Sequence, residues 1–191
     1  MKTLDQVIGD VLEREGWPKV TDRASDRGGL TKGGVTFREY NLWRAAIGKP
    51  LITEQQLRDL DERDARAFFV DQFSRPFSFI ADEGIFVLLV DWAVTSGPDD
   101  PTAALQAAMK KFGHDVGSSL TPGPKTKAAW KEIEGDFALC QEIEDELLRA
   151  RVRFYVRLVL NDPEVVALRK SSPTTQIHNL AGWVNRCLEF M

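Results

Sequence analysis

The chain has 191 residues, 43% of them hydrophobic and 28% charged, with a net charge of −4. That is the make-up of a soluble globular protein, long enough for one sizeable core or two small lobes. It excludes three classes: arginines and lysines form no nucleic-acid-binding block, two cysteines (Cys140 and Cys187) make no disulfide framework, and His114 and His178 stand outside any zinc-binding spacing.

Helices dominate the reading in chain order. Thr3 with Gln6 forms a capping box, and the first helix runs to about Arg14 or Glu15, where Gly16 closes it. From Gly16 to Thr36 the chain is polar and glycine-rich, which predicts short strands or a hairpin. Phe37 to Ile47 reads as a helix ended by Gly48. A second capping box, Thr53 with Gln56, opens one helix that carries Leu57, Leu60, Asp64, Ala67 and Phe68 and stops before Pro76. Ile85 to Val94 is a nearly continuous apolar run, a buried helix or, by periodicity alone, a buried strand.

Asp91 interrupts that run, which predicts a buried polar network with an arginine. Pro101 is expected to open a helix from Thr102 to Phe112 at its first position. His114 to Gly123 is a loop, and Pro124 to Glu132 a short helix. The longest pattern runs from Phe137 to Leu160, with Ile143, Leu147, Val152, Tyr155 and Val159 on one side. Arg149, Arg153 and Arg157 lie on another, a solvated face paired with nearby acids. Asn161-Asp162-Pro163 stops that helix, and a last one is expected from about Thr174 to Phe190. Trp92 and Trp183 read as core. No targeting leader and no apolar stretch of about 18 residues is seen, so synthesis in the cytoplasm without membrane insertion is expected.

Glu15 is the residue that suggests chemistry. On a helical wheel Leu4, Val7, Ile8, Val11 and Leu12 form one apolar stripe, and Glu15 falls roughly 20° from Leu4. A carboxylate on a core-facing stripe is costly to keep ionised, which favours the protonated form that a general acid needs. Downstream, Asp26-Arg27-Gly28-Gly29-Leu30-Thr31 supplies a second carboxylate and a hydroxyl in a glycine-rich loop. Glycosidic cleavage asks for this set: an acid for the leaving oxygen, a carboxylate for the water or the oxocarbenium-like transition state, and a hydroxyl to hold the water. The loop is also compatible with a plain Asp turn, and Glu15 with a buried ion pair. Asp22 and Asp26 lack the spacing of a calcium loop.

Glu15-Gly16-Trp17, followed by Asp26-Arg27-Gly28-Gly29-Leu30-Thr31-Lys32-Gly33-Gly34-Val35-Thr36, resembles the signature of glycoside hydrolase family 108, N-acetylmuramidases similar to phage-type lysozymes. Later pieces agree: Asp91-Trp92-Ala93-Val94-Thr95-Ser96-Gly97, Ala104-Leu105-Gln106, Gly123-Pro124-Lys125-Thr126, Arg153-Phe154-Tyr155 and Gly182-Trp183-Val184-Asn185-Arg186 resemble that family's peptidoglycan-binding helical segment. Departures are Trp17-Pro18, Arg27, Gly33, Val35 and Thr95, where the family carries Gly-Tyr, Pro, an aromatic residue, Ile and Asn.

The resemblance implies a mainly α, lysozyme-like fold with a small Gly-rich hairpin or loop near the active site. It implies a catalytic lobe over residues 1–80 and a helical, peptidoglycan-binding lobe over 81–191. The implied activity is hydrolysis of the β-1,4 bond between N-acetylmuramic acid and N-acetylglucosamine, as in endolysins. Glu15 would be the acid, Asp26 and Thr31 would manage the water, and Trp17, Gly28, Gly29, Gly33 and Thr36 would contact substrate. No cofactor or metal is implied, the partner is peptidoglycan rather than nucleic acid, and a monomer acting on the cell wall after release is expected. Similarity to phage-type lysozymes points to inversion at the anomeric carbon. A peptidoglycan-binding module without turnover and a lytic transglycosylase are the competing readings.

Overall fold

The computed structural model describes residues 3–22, 29–160 and Trp183. The expected final helix apart from Trp183, the Asn161-Asp162-Pro163 stop, Cys187, Asp26 and Gly28 lie outside these residues. The architecture is mainly α, with a small antiparallel sheet, and the chain divides into two compact units, 1–78 and 79–191.

In the first unit, α1 (Leu4–Arg14) starts with the expected capping box of Thr3 and Gln6. It buries Val7, Ile8, Val11 and Leu12, each side chain contributing about 1.5–3 kcal/mol. The stripe narrows at its margin: Leu4 is 40% exposed, and Glu15 is half-buried rather than in the core. Three two-residue strands follow, β1 (Val20–Thr21), β2 (Thr31–Lys32) and β3 (Val35–Thr36), in the order β1-β2-β3. The register pairs Val20 with Lys32, Thr21 with Thr31, Thr31 with Thr36 and Lys32 with Val35. Thr36 then caps α2 (Phe37–Ala46) by accepting from the Glu39 N–H.

The single helix expected after Thr53 is broken. α3 (Glu54–Arg58) stops at Asp59, and α4 (Glu62–Phe69) starts afresh, because the Asp61 side chain accepts from the Asp64 N–H. α4 then loosens into a π-turn over Val70–Ser74 and a 3₁₀ turn over Arg75–Phe77. Gly9 lets α4 meet α1 closely: a Cβ there would lie 3.3 Å from Arg66 Nη2, and Arg66 Nη1 donates to the Asp5 carbonyl (3.0 Å) and carboxylate (2.9 Å). Tyr40, Trp43, Phe68, Phe69 and Phe73 form an aromatic cluster with several edge-to-face contacts, and Trp43 Nε1 donates to Asp71 at 2.9 Å.

In the second unit the apolar run is a helix, α5 (Glu83–Ser96), and not a strand; Asp82 caps it by accepting from the Ile85 N–H. α6 (Asp99–Lys111) begins two residues before Pro101, which occupies its third position rather than its first. A proline fits there because the N–H groups of the first turn have no intrahelical partner. α7 (Pro124–Ile133) and α8 (Phe137–Leu160) complete the described helices. Gln106 of α6 donates to Thr126 Oγ1 (3.1 Å) and to the Ser119 carbonyl (2.9 Å), so two of the pieces that carry the family resemblance meet in a buried polar bridge.

Asp91 finds the arginine that its burial predicts. Arg151, fully buried, donates to Asp91 Oδ2 at 2.5 Å and to the Tyr155 hydroxyl at 3.3 Å. This corrects the α8 stripe: Leu147, Arg151, Tyr155 and Val159 point to the core, and Val152 is 36% exposed. Arg149 pairs with Asp145 and Glu146 on the solvated side, as expected. Trp92 is core, and Trp183 is half-buried and stacks on Tyr155 with ring centroids 4.8 Å apart. No helix among the described residues is long and apolar enough to cross a membrane.

Two outcomes follow for the second unit. Asp91→Ala leaves the Arg151 guanidinium buried without this carboxylate, and urea unfolding should show a loss of about 3–5 kcal/mol, much of it recovered when Arg151 is replaced by Met as well. Glu144 is pushed above the usual carboxylate range by burial first, then by Asp82 and Asp145. A raised carboxyl disfavours the folded state above its folded pKa and costs nothing below its unfolded one. Glu144→Gln should therefore raise Tm at neutral pH, and the gain should vanish as pH falls through that window.

Candidate active site

The site is built where α1 stops. Glu15 is the C-cap residue that follows α1, and Gly16 comes next with φ +78°. The Gly16 N–H donates to the Glu13 carbonyl (3.0 Å) and the Trp17 N–H to the Leu12 carbonyl (2.9 Å). This paired closure satisfies the orphan carbonyls of the helix end and needs a residue that tolerates the left-handed region. It turns the chain so that Glu15 and Trp17 stand on either side of Gly16. A cis bond joins Trp17 to Pro18, and the Lys19 N–H returns to the Gly16 carbonyl at 2.8 Å.

Over this corner sits the β2–β3 turn. Gly33 (φ +49°) and Gly34 (φ +81°) are its two central residues, the combination that a type I′ hairpin requires and that glycine takes at least cost. The turn is pinned, since the Gly33 N–H donates to the Lys19 carbonyl at 2.9 Å. There is no room for side chains beneath it. A Cβ on Gly33 would lie 2.5 Å from Trp17 Cε3, and one on Gly34 would lie 2.9 Å from Glu15 Cγ and 3.3 Å from Glu15 Oε2.

Lys32 fixes the base of the hairpin. Its ammonium group donates to the Arg58 carbonyl (2.6 Å) and the Leu60 carbonyl (2.8 Å), where α3 ends, and lies 5.3 Å from the centre of the Trp17 ring. A cation suits the carbonyl end of a helix and the face of an indole. Asp22 reaches the same helix end through Arg58 at 2.6 Å.

Thr31 and Thr36 face each other across β2–β3, and Thr21 pairs with Thr31 on the other side, so three half-exposed hydroxyl residues share one face of the sheet. The Thr31 hydroxyl donates to the Gly29 carbonyl at 3.2 Å. A carbonyl only accepts, so this bond turns the oxygen lone pairs of Thr31 outward. Thr36 has its oxygen engaged by the Glu39 N–H.

Of the residues singled out in the sequence, Glu15, Trp17 and Gly33 are thus brought into one corner, with Thr31 on the strand that leads to it. Gly29 stands two residues before that strand with φ +63°. Asp26 and Gly28 fall outside the described residues. Two participants escaped the sequence reading. Lys32 acts through backbone carbonyls, which leave no trace in composition. Gly34 was legible only as a turn residue, because nothing in the sequence says what lies under the turn. Among the described residues no group of three or more His, Cys, Asp or Glu side chains is placed to hold a metal ion.

Residues 8–97 match the family model described as Glycosyl hydrolase 108. This segment contains the whole corner and ends at Gly97, which terminates α5. No curated protein matches the chain. Among solved structures the chain is similar to that of Brucella abortus SagA, with a TM-score of 0.65 and 21% identity over 98% of this chain and 94% of that one. At that identity the likeness is one of fold.

Lys32→Met keeps the side-chain stem but removes both carbonyl bonds and the charge over Trp17. Urea unfolding should show the first unit destabilised by about 2 kcal/mol. An unchanged midpoint would mean that these contacts carry no net energy.

Proposed function

We propose that this chain, whose residues 8–97 match the family model described as Glycosyl hydrolase 108, belongs to that family and is a muramidase of bacterial peptidoglycan. The bond cleaved is the β-1,4 linkage between N-acetylmuramic acid and N-acetylglucosamine. The observation that carries the reading is the corner itself: a half-buried carboxylate at a helix end, packed under one glycine of a hairpin turn whose other glycine lies on an indole.

In this reading Glu15 protonates the leaving glycosidic oxygen. A helix end closed by its own backbone bonds fixes the Cα and Cβ from which the carboxyl projects, and a fixed origin serves proton transfer within hydrogen-bond reach. Asp26 carries the opposite charge requirement, an ionised carboxylate that activates water or stabilises the oxocarbenium-like transition state. Thr31 holds the water. Its hydroxyl hydrogen is already given to Gly29, so its oxygen accepts a water hydrogen and aims the water lone pair elsewhere. Trp17 offers an aromatic face to a sugar ring, with Gly28, Gly29, Gly33 and Thr36 lining the approach of the polymer. No cofactor enters this scheme. Attack by water on the face opposite the leaving group gives an inverted product.

We assign catalysis to residues 1–80 and peptidoglycan binding to the helical part, 81–191, in a monomer that acts on the cell wall after release, as endolysins do. Every described residue of the proposed machinery belongs to the first unit, which supports the first half of that assignment.

Purified peptidoglycan digested with wild type and with Glu15→Gln, followed by mass spectrometry, tests the reading. Wild type should release muropeptides with reducing ends, and Glu15→Gln should lower the rate by about 10²–10⁴-fold, the usual worth of a general acid. Anhydro-muropeptides would identify a lytic transglycosylase instead. Sedimentation with peptidoglycan and no product from wild type would identify a binding module. Undiminished lysis by Glu15→Gln would remove Glu15 from the chemistry.

A further inference from the structure

The tip of the β2–β3 hairpin does more than reverse the chain. Gly34 lies against the aliphatic stem of Glu15: a Cβ there would stand 2.9 Å from Glu15 Cγ, 3.0 Å from its Cβ and 3.3 Å from Oε2. Neither side of this contact can give way easily. Glu15 Cβ is fixed by the closed end of α1, and the turn is held by the Gly33–Lys19 backbone bond and by the β2–β3 ladder. A side chain at position 34 would therefore have to be met by rotation of Glu15 about its first torsion, which swings the carboxyl away.

We propose that Gly34 is a positioning residue whose bare backbone selects the Glu15 rotamer used in catalysis. This rests on the reading of Glu15 as the acid. It predicts that position 34 controls turnover without touching substrate.

The variant of choice is Gly34→Asn in the full-length chain, because asparagine takes positive φ more readily than other residues that carry a Cβ. Gly48→Asn is the control. Gly48 also has positive φ (+71°), but a Cβ there meets nothing within 4 Å. Kinetics on soluble peptidoglycan fragments should show kcat of Gly34→Asn lowered about ten- to hundredfold with KM within about twofold, the size expected of a misplaced catalytic group. Gly48→Asn should keep its kcat.

Thermal melts supply a readout that does not depend on activity. The Tm lost through Gly34→Asn should shrink in a Glu15→Ala background, where Cγ and the carboxylate are gone, whereas the loss through Gly48→Asn should be the same in both backgrounds. Should Gly34→Asn fold only with Glu15→Ala, that rescue supports the proposal as well. Wild-type kcat in Gly34→Asn, an equal Tm loss in both backgrounds, or failure to fold in both would overturn it. Loss of the acid reading through an active Glu15→Gln would leave the Tm coupling intact, so the two failures are distinguishable.

Discussion

α1 has to end at Gly16. The amphipathic stripe that buries Val7, Ile8, Val11 and Leu12 has no apolar residue to continue it, and the last carbonyls of the helix need donors. The Gly16 and Trp17 N–H groups supply them, at the cost of a left-handed residue that only glycine adopts cheaply. Glu15 and Trp17 are consequently neighbours of a rigid corner and not of a loose loop. The hairpin turn above them is likewise glycine at both central positions. Corner and turn are complementary, because each glycine leaves the space that the residue opposite occupies: Trp17 under Gly33 and Glu15 under Gly34.

Lys32 links this arrangement to the rest of the first unit. The break between α3 and α4 exposes carbonyls at Arg58 and Leu60, and one ammonium group takes both while lying over the Trp17 ring. A helix that ran unbroken from Thr53 would use the Arg58 carbonyl internally and leave β2 without its anchor. The interruption begun by the Asp61 cap is thus part of how the hairpin is held. The second unit has a corresponding fixed point. Asp91 on α5 and Arg151 on α8 pair inside the core, and such a pair stabilises little over an apolar substitute but penalises any register that separates it.

Much of the fold was legible because its signals are local. The capping boxes of Thr3 and Thr53, the closing glycines and the glycine-rich stretch that holds the hairpin all act within a few residues of where they are read. Errors arose where a distant partner decides. The apolar period puts Val152 on the buried stripe of α8, yet Arg151 takes that face, drawn in by the carboxylate of Asp91 sixty positions away. The apolar period after Thr53 carries through and predicts one continuous helix; an aspartate cap and a lysine from another element break it.

The sequence alone determined the order of chemical groups: a carboxylate at a helix end, an aspartate in a glycine-rich loop, a threonine, and a pair of glycines after it. The ordered spacing of these groups is also what residues 8–97 share with the family model described as Glycosyl hydrolase 108. Only the tertiary structure decided which of them meet. A contact such as Gly34 on Glu15 depends on the direction in which two backbones approach, and that direction is set by the turn at Gly16, the tether of Lys32 and the packing of α1 on α4. The same holds for Glu15 itself. The helical wheel put it on the core side, but how far it is buried depends on what covers the end of the stripe, and the covering piece is a turn without side chains.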